Sequence, residues 1–264
     1  MSSDFKRIES AHNDDIKQLA RLLQNGRERR QQQLMVLEGI HLVEAALHSH
    51  ADFVAVYVNE RTREHPEVAA LLAQLAPVCR ITLLADSLFA KVSALASAPE
   101  ILALARRPHY GRPAATASRL MLENVQDPGN LGTILRSAAA ADVRAVYLSS
   151  GCVDAYSPKV LRAGMGAHFA LELREEADLA AELSAFDGAR LVTSLEGSQS
   201  LYRQDLRGPV AFVFGNEGAG VSQTLLDLAD VRVRIPMPGQ AESLNVAMAA
   251  TLCLFERVRQ TCPD

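Results

Sequence analysis

The chain has 264 residues and a formal net charge of −4, with 48% apolar and 22% charged residues. This length favours two domains. The acidic balance argues against a surface coated in phosphate-binding charge but allows local basic patches. No stretch of about 18 apolar residues occurs and the first residues, MSSDFKRIES, lack the apolar core of a signal peptide, so we predict a cytoplasmic protein without a membrane span.

Residues 1–105 are predicted to form a small α/β domain. Apolar residues at helical spacing predict a helix over 13–25. The run FVAVYV at 53–58 is rich in β-branched and aromatic residues and predicts a strand. Further strands are expected at 34–37 and 80–84, and further helices at 40–50, 66–75 and 86–94.

Two arginine clusters are candidate RNA contacts because arginine neutralises phosphate. One lies in 26–33 (GRERRQQQ), and the other lies in 106–117, which Pro108, Gly111 and Pro113 mark as a linker. For each stretch the alternative is a solvated helix end or a linker, and charge alone does not decide between them. The candidate RNA-binding residues are Arg27, Arg29, Arg30, Arg106 and Arg107, with His109 and Arg112 beside the second cluster.

Residues 118–264 are predicted to form a second domain in which strands and helices alternate. This alternation implies a mostly parallel sheet covered by helices on both faces. Ligands of such sheets bind at the carboxyl ends of the strands, where three turn-rich loops fall, at 125–130, 215–220 and 236–242. Strands are predicted at 119–124, 144–149, 190–195, 210–214 and 231–235, and helices at 131–141, 158–165, 175–186, 221–229 and 243–259.

The loop at 215–220 does not fit the common nucleotide-binding patterns. Its glycines are spaced G-x-x-G-x-G, whereas a dinucleotide fingerprint requires G-x-G-x-x-G. Val221 stands where a phosphate-binding P-loop requires lysine, which argues against a kinase or an NTPase. The glycines still allow the backbone to approach a ligand closely. Glu217 is either a functional acid or a carboxylate favoured by a helix start.

The loop at 236–242 is stiffened by two prolines and leads into a helix. Ser243 is a candidate cap or first residue of that helix. Asn245 either caps the helix or binds a ligand or a neighbouring loop through its amide. An apolar stripe along the helix predicts either core packing or a subunit interface. The stripe consists of Leu244, Met248, Leu252 and Phe255.

The cysteines and histidines do not indicate a metal site. The four cysteines are far apart and form no CxxC pair, and the histidines show no metal-ligand spacing. Neither a disulfide framework nor a metal ion is expected, and reduced thiols are predicted. The cysteines are Cys79, Cys152, Cys253 and Cys262.

Three segments together closely resemble the successive motifs of the SpoU (TrmH-type) RNA 2′-O-ribose methyltransferases, in the same order and separation. The segments are NVQDPGNLGTILRSA (124–138), FVFGNEGAGVS (212–222) and IPMPGQAESLNVAMA (235–249). Residues 156–169 are similar to the segment that the family carries between its first two motifs, and the resemblance covers 120–260.

The 1–105 region resembles the family's N-terminal RNA-binding domain, which has an L30e-like ribosomal-protein fold. This weaker match rests on VLEGIHLVEAAL (36–47) and SAPEILALA (97–105). Many members carry Pro-Gln-Gly in the second segment, where this chain has Pro99-Glu100-Ile101.

The resemblance implies an enzyme that transfers a methyl group from S-adenosylmethionine to a ribose 2′-hydroxyl. It also implies a SPOUT-type trefoil knot in the second domain and a homodimer formed through that domain. The implied catalytic residues are Asn130, Arg136, Glu217, Ser243 and Asn245. The implied cofactor-binding residues are Leu195, Gly215, Asn216, Gly218, Ile235, Met237, Ser243, Leu244 and Asn245.

For Arg136 we favour electrostatic stabilisation of the nascent alkoxide or of an adjacent phosphate over the role of general base, because arginine stays protonated in proteins. A salt bridge to Glu217 is the alternative role, and the two roles are compatible. The resemblance favours ribosomal RNA over tRNA as the substrate. The competing functions are a base-modifying tRNA enzyme and a non-catalytic RNA-binding protein that kept the fold.

Overall fold

A computed structural model of the chain describes residues 5–93, 99–111 and 117–262. Contacts divide the chain into two units. The first comprises residues up to His109 together with Tyr156–Phe169, and the second comprises the remainder. The predicted limits left 156–169 in the second domain, so they require correction for this segment. Residues 97–98 and 112–116, which belong to the predicted N-terminal motif and linker, lie outside the described residues.

The first unit contains a five-stranded mixed sheet in the order β1-β4-β3-β5-β2. Its outer strand β1 and the strand β3 run parallel to β4, whereas β5 runs antiparallel to both β3 and β2. The strands are β1 (Lys6–Ile8), β2 (Leu34–Glu38), β3 (Phe53–Asn59), β4 (Arg80–Leu84) and β5 (Ile101–Arg106). The helices are α1 (Asp14–Gln24), α2 (Gly26–Gln32), α3 (Ile40–His48), α4 (Pro66–Leu75) and α5 (Asp86–Val92).

Helix α1 shows how the sequence builds this unit. The side chain of Asn13 caps it by accepting a hydrogen bond from the Asp15 amide at 2.9 Å. Its apolar stripe is buried in a core shared with β2, β3, β5 and α5, which includes Leu22, Val36 and Phe89. Burial of this stripe, and not helix propensity alone, stabilises a helix of this length.

Two predicted RNA-binding arginines are structural and must be corrected. The Arg29 side chain in α2 is buried, with 4% exposure of the residue, and it donates to the carbonyl oxygens of Leu22 and Leu23 at the end of α1. Arg107 is also buried, at 8%, and its guanidinium lies 4.3 Å from the ring centroid of Tyr156. Both cations are used inside the first unit, so neither is available to phosphate.

The other three predicted RNA-binding arginines are exposed. Arg27 and Arg30 lie on the helix α2, in the stretch for which a solvated helix end or a linker was the alternative to RNA contact. Arg106 is the last residue of β5, not part of a linker, and it forms an ion pair with Asp52 at 3.2 Å. These three positions therefore remain candidates for RNA contact.

The second unit contains a seven-stranded sheet in the order β10-β12-β9-β11-β6-β7-β8, and every strand pair in it is parallel. This confirms the predicted parallel sheet. The strands are β6 (Arg119–Leu122), β7 (Ala145–Leu148), β8 (Glu172–Arg174), β9 (Ala189–Thr193), β10 (Gln199–Ser200), β11 (Val210–Phe214) and β12 (Val231–Arg234). The remaining helices are α6 (Pro128–Ala140), α7 (Pro158–Gly164), α8 (Leu179–Ser184), α9 (Gln223–Asp227) and α10 (Val246–Thr261).

The segment that contains α7 packs within the first unit, against β2. The carboxylate of Glu38, at the end of β2, is fully buried and forms an ion pair with Arg162 of α7. Ser93 also donates to this carboxylate, at 3.2 Å. A buried carboxylate requires such partners, because an unpaired charge away from water is strongly disfavoured.

In the described part of the chain, none of the helices is both long and apolar enough to cross a membrane.

Candidate active site

A cavity of about 210 Å³ opens in the second unit, beside the carboxyl ends of β9, β11 and β12. Two of the three turn-rich loops predicted from the sequence line it, together with the start of α10 and the residues that follow β9. Its walls are formed by glycine and proline-rich loops and by apolar side chains. Those side chains include Leu195, Phe214, Ile235, Leu244 and Val246.

The loop after β11 is closed on itself so tightly that one glycine is required. A Cβ atom on Gly215 would lie 2.1 Å from the carbonyl oxygen of Gly220, which no real contact tolerates. The amide of Asn216 donates to that carbonyl at 3.0 Å, and the amide of Gly220 donates back to the Asn216 carbonyl at 2.9 Å. Gly220 adopts φ +69°, a left-handed conformation that favours glycine.

Three polar side chains from the three motif segments form one hydrogen-bonded chain at this site. The amide nitrogen of Asn245 donates to Asn130 Oδ1 at 2.9 Å. The amide nitrogen of Asn130 donates to Glu217 Oε1 at 3.0 Å. Each amide thus has a fixed orientation, because its oxygen and nitrogen are both assigned to partners. The sequence prediction named all three residues but did not predict that they bond to one another.

Asn245 performs the two roles that the sequence left as alternatives. Its side-chain oxygen caps α10 by accepting from the amides of Ala247 at 2.9 Å and Met248 at 3.3 Å. Its side-chain nitrogen contacts the neighbouring loop through Asn130. Ser243, predicted as a cap or first residue, precedes the helix and lines the cavity instead.

The Glu217 carboxylate is held by neutral donors. Its partial burial alone would raise its pKa, but hydrogen bonds from Asn130 and from backbone amides, that of Asp127 among them, lower the pKa below its ordinary value. Asp127 also caps α6 by accepting from the Asn130 amide at 2.8 Å. The result is an ionised carboxylate that orients the Asn130 amide at the start of α6.

Arg136 is exposed on α6 and does not line the cavity. Its guanidinium forms no ion pair or hydrogen bond with the residues that the structure describes. The predicted alternative, a salt bridge to Glu217, is therefore wrong within this chain. The arginine is instead available to a molecule outside the chain.

Most predicted cofactor-binding residues line the cavity. The two predicted cofactor-binding residues that do not line the cavity are Gly218 and Asn245. Those that do are Leu195, Gly215, Asn216, Ile235, Met237, Ser243 and Leu244. Among the predicted catalytic residues, Glu217 and Ser243 line it, whereas Asn130 and Arg136 do not.

The sequence prediction missed several lining residues. Thr193 ends β9 and Ser194 follows it, so the rule that ligands bind at the carboxyl ends of parallel strands provided a signal for them. Arg234 ends β12, where the same rule applies. Ala249 and Cys253 lie on α10 and gave no signal beyond its apolar pattern.

The apolar stripe of α10 is exposed, which excludes the core alternative predicted from the sequence. Met248, Leu252 and Phe255 each expose between 40% and 53% of their surface. Large apolar side chains clustered on one face of a helix are typical of an interaction surface.

The residues around the cavity are suited to S-adenosylmethionine. Its adenosine needs apolar walls and close backbone approach, which Ile235, Leu244 and the glycine loop provide. Its polar groups need donors and acceptors at fixed positions, and the backbone of these constrained loops offers them.

A parallel sheet with a backbone-lined cavity at the ends of its strands defines an α/β ligand-binding domain. The model of the SpoU rRNA Methylase family matches residues 117–255, and that of the MRM3-like substrate binding domain matches residues 13–103. The chain therefore belongs to the SpoU rRNA methylase family, which confirms the resemblance seen in its motifs.

Relatives cover nearly the whole chain. An uncharacterized tRNA/rRNA methyltransferase of Synechocystis is 36% identical over 98% of this chain and 96% of its own length. The 23S rRNA (guanosine(2553)-2′-O)-methyltransferase RlmP of Bacillus subtilis is 35% identical over 95% of this chain and 98% of its own length. The crystal structure of an AdoMet-bound rRNA methyltransferase from Sinorhizobium meliloti matches with a TM-score of 0.84 and 26% identity, covering 97% of this chain and 98% of that one.

Proposed function

We propose that this protein transfers a methyl group from S-adenosylmethionine to a ribose 2′-hydroxyl of 23S-type ribosomal RNA. The observation that carries the proposal is the joint position of the motif segments. The second and third motif segments line one cavity. Asn130 of the first segment is hydrogen-bonded to Glu217 and to Asn245. The relatives named as methyltransferases of ribosomal RNA support the choice of substrate.

In this proposal the cofactor binds between the glycine loop, the Ile235–Leu244 loop and Leu195. S-adenosylmethionine, when bound, supplies a sulfonium methyl group as the electrophile. The chain supplies shape: Gly215 allows the backbone to close tightly, and the prolines limit the freedom of the opposite loop. Apolar walls exclude water, which strengthens every polar contact inside.

Arg136 would act on the RNA as a fixed cation. When the ribose oxygen takes the methyl group from the sulfur, the C–S bond breaks and the hydroxyl proton passes to solvent water. A nearby guanidinium stabilises the negative charge that develops on the ribose oxygen, or binds an adjacent phosphate. Arginine does not serve as the base, because it stays protonated. Since Arg136 does not line the cavity of its own chain, this role requires that bound RNA or a second copy of the chain bring the reacting oxygen to it.

The homodimer is part of the proposal, with α10 as its contact. Met248, Leu252 and Phe255 are exposed on this helix, and an isologous contact would bury the same stripe on both copies. Substitution of Leu252 by Glu should yield monomers in light scattering after gel filtration. A dimer that survives this change would contradict the choice of surface.

Several other features belong to the proposal. The second unit would form the SPOUT-type trefoil knot, and the first would be an L30e-like domain that binds RNA in the cytoplasm. Arg27, Arg30 and Arg106 are its exposed candidates for phosphate contact. Residues 1–105 and 118–264 remain the proposed domains, with 156–169 attached to the first.

The direct test uses methyl-labelled S-adenosylmethionine with ribosomal RNA and tRNA, followed by mass spectrometry of the digested nucleosides. We expect the label on a ribose oxygen of ribosomal RNA. Label on tRNA would identify tRNA as the substrate instead. Label on a base would show that the enzyme methylates a base and not a ribose. A protein that binds the cofactor and both RNAs but transfers no label would be a non-catalytic RNA-binding protein.

A further inference from the structure

The loop Ser194–Ser198, between β9 and β10, forms one border of the cavity through Ser194 and Leu195. Leu195 lines the cavity, yet the residue is 60% exposed. An apolar side chain with this exposure has few packing contacts to fix its position. Its placement therefore depends on the backbone of the loop.

The loop is folded by short-range hydrogen bonds. Ser194 Oγ donates to the Glu196 carbonyl at 3.1 Å, and Ser198 Oγ donates to the Leu195 carbonyl at 3.1 Å. Gly197 adopts φ +60°, which allows the chain to reverse here. The backbone attaches both ends of the loop to β12: the Ser194 amide donates to the Val233 carbonyl at 3.0 Å, and Ser198 leads into β10, which pairs with β12. None of these backbone contacts involves the side chain of Ser198.

Arg234 adds a side-chain contact at the far end of the loop. It is the last residue of β12 and lines the cavity. Its guanidinium donates to the carbonyl oxygen of Ser198, and the same nitrogen lies 3.4 Å from Ser198 Oγ. Because Ser198 Oγ also bonds to the Leu195 carbonyl, the contact extends from Arg234 to the residue on the cavity wall.

Arg232 provides a contrast on the same strand. Its guanidinium lies 3.5 Å from the Asp227 carboxylate and does not line the cavity. The two arginines thus carry the same charge and lie on the same strand, but they contact different partners. Of these two side chains, that of Arg234 contacts the loop that borders the proposed cofactor site, and that of Arg232 contacts α9 and the residue that ends it.

We propose that Arg234 is a positioning residue that fixes the Ser194–Ser198 loop, so that Leu195 closes against the bound cofactor. This inference rests on the proposed function, because it takes S-adenosylmethionine as the ligand of the cavity. The arginine acts through the loop and needs no contact with the ligand itself.

The test measures loop order and ligand affinity separately, with Arg234→Gln, Arg234→Lys and the control Arg232→Gln. Amide hydrogen exchange of the ligand-free proteins reports on residues 194–198. Calorimetric titration with S-adenosylhomocysteine, the product that lacks the methyl group, reports on the cavity. Thermal unfolding checks that each variant is folded.

We expect Arg234→Gln to accelerate exchange in the loop and to weaken ligand affinity about tenfold, as for loss of a hydrogen bond from a charged donor. Arg234→Lys should lie between Gln and the wild type, and Arg232→Gln should match the wild type in both measurements. Weaker affinity with unchanged exchange would overturn the inference, because the arginine would then bind the ligand directly. Unchanged affinity would also overturn it. Failure of the wild type to bind would instead contradict the proposed function.

Discussion

One arginine and one glutamate from each unit show opposite uses of these two residue types. In the first unit, Glu38 is fully buried and paired with Arg162. In the second, Glu217 is held by amides and Arg136 is exposed, without a partner among the described residues. A paired arginine stabilises a fold, whereas an unpaired one remains free to act on a substrate. The partner, and not the residue type, therefore separates a structural charge from a candidate functional one.

The largest expected effect comes from removing the unpaired cation. Arg136→Ala should lower the rate of methyl transfer about a hundredfold or more, since a charge-stabilising donor has this effect on a transition state. Cofactor affinity should not change, because Arg136 does not line the cavity. Single-turnover kinetics and calorimetry measure the two quantities. Arg144→Ala, which removes an exposed arginine paired with Asp142, is the matched control. Turnover near that of the wild type would remove Arg136 from the mechanism.

The paired arginine should affect stability instead. Arg162→Ala leaves the Glu38 carboxylate buried without its cation, and such losses cost about 3 kcal/mol of unfolding free energy. Urea denaturation of the full chain measures this difference. Arg207→Ala breaks an exposed pair with Asp205 and should change stability little. Equal stability of the Arg162 variant and the wild type would contradict the structural role of this pair.

A smaller effect should separate the two roles of Asn245. Asn245→Ala removes both the cap of α10 and the donor to Asn130, so we expect about 1 kcal/mol less stability and slower transfer. Asn245→Ser keeps a capping oxygen but lacks the amide donor, so it should be slow yet nearly as stable as the wild type. Denaturation and kinetics on both variants test this. If Ser restores both quantities, the residue serves only as a cap.

The smallest expected effect is the pH dependence due to Glu217. Its pKa in the folded protein lies below the ordinary value of 4.5, so ionised Glu217 contributes stability that is present above this pH. The contribution is lost as the pH falls through the lowered pKa. The stability difference between the wild type and Glu217→Gln should therefore shrink in acid. Denaturation at neutral pH and below pH 4.5 measures it, and a constant difference would contradict the role of the hydrogen bonds.

The sequence predicts features that are local or periodic. The parallel sheet followed from alternating strand and helix patterns, and the loops that line the cavity followed from glycine and proline at strand ends. Strands β1 and β10 have only three and two residues, so periodicity had nothing to measure. Helix α2 has no apolar stripe and is held by Arg29, which explains why its sequence resembled a basic patch.

Features that depend on long-range contacts could not be predicted from the sequence. The packing of α7 within the first unit includes the Glu38–Arg162 pair, whose partners are 124 residues apart. The chain of hydrogen bonds from Asn245 to Glu217 likewise joins residues that only the fold brings together. Motif resemblance named these site residues, but it did not reveal which of them touch.

Calorimetric titration of the purified protein with S-adenosylmethionine tests the central claim most directly. The account predicts saturable binding with one site per chain, and loss of that site in Gly215→Val, whose side chain would fill the space now taken by the Gly220 carbonyl. Absence of binding to the folded wild-type protein, or equal affinity of the folded variant, would contradict it.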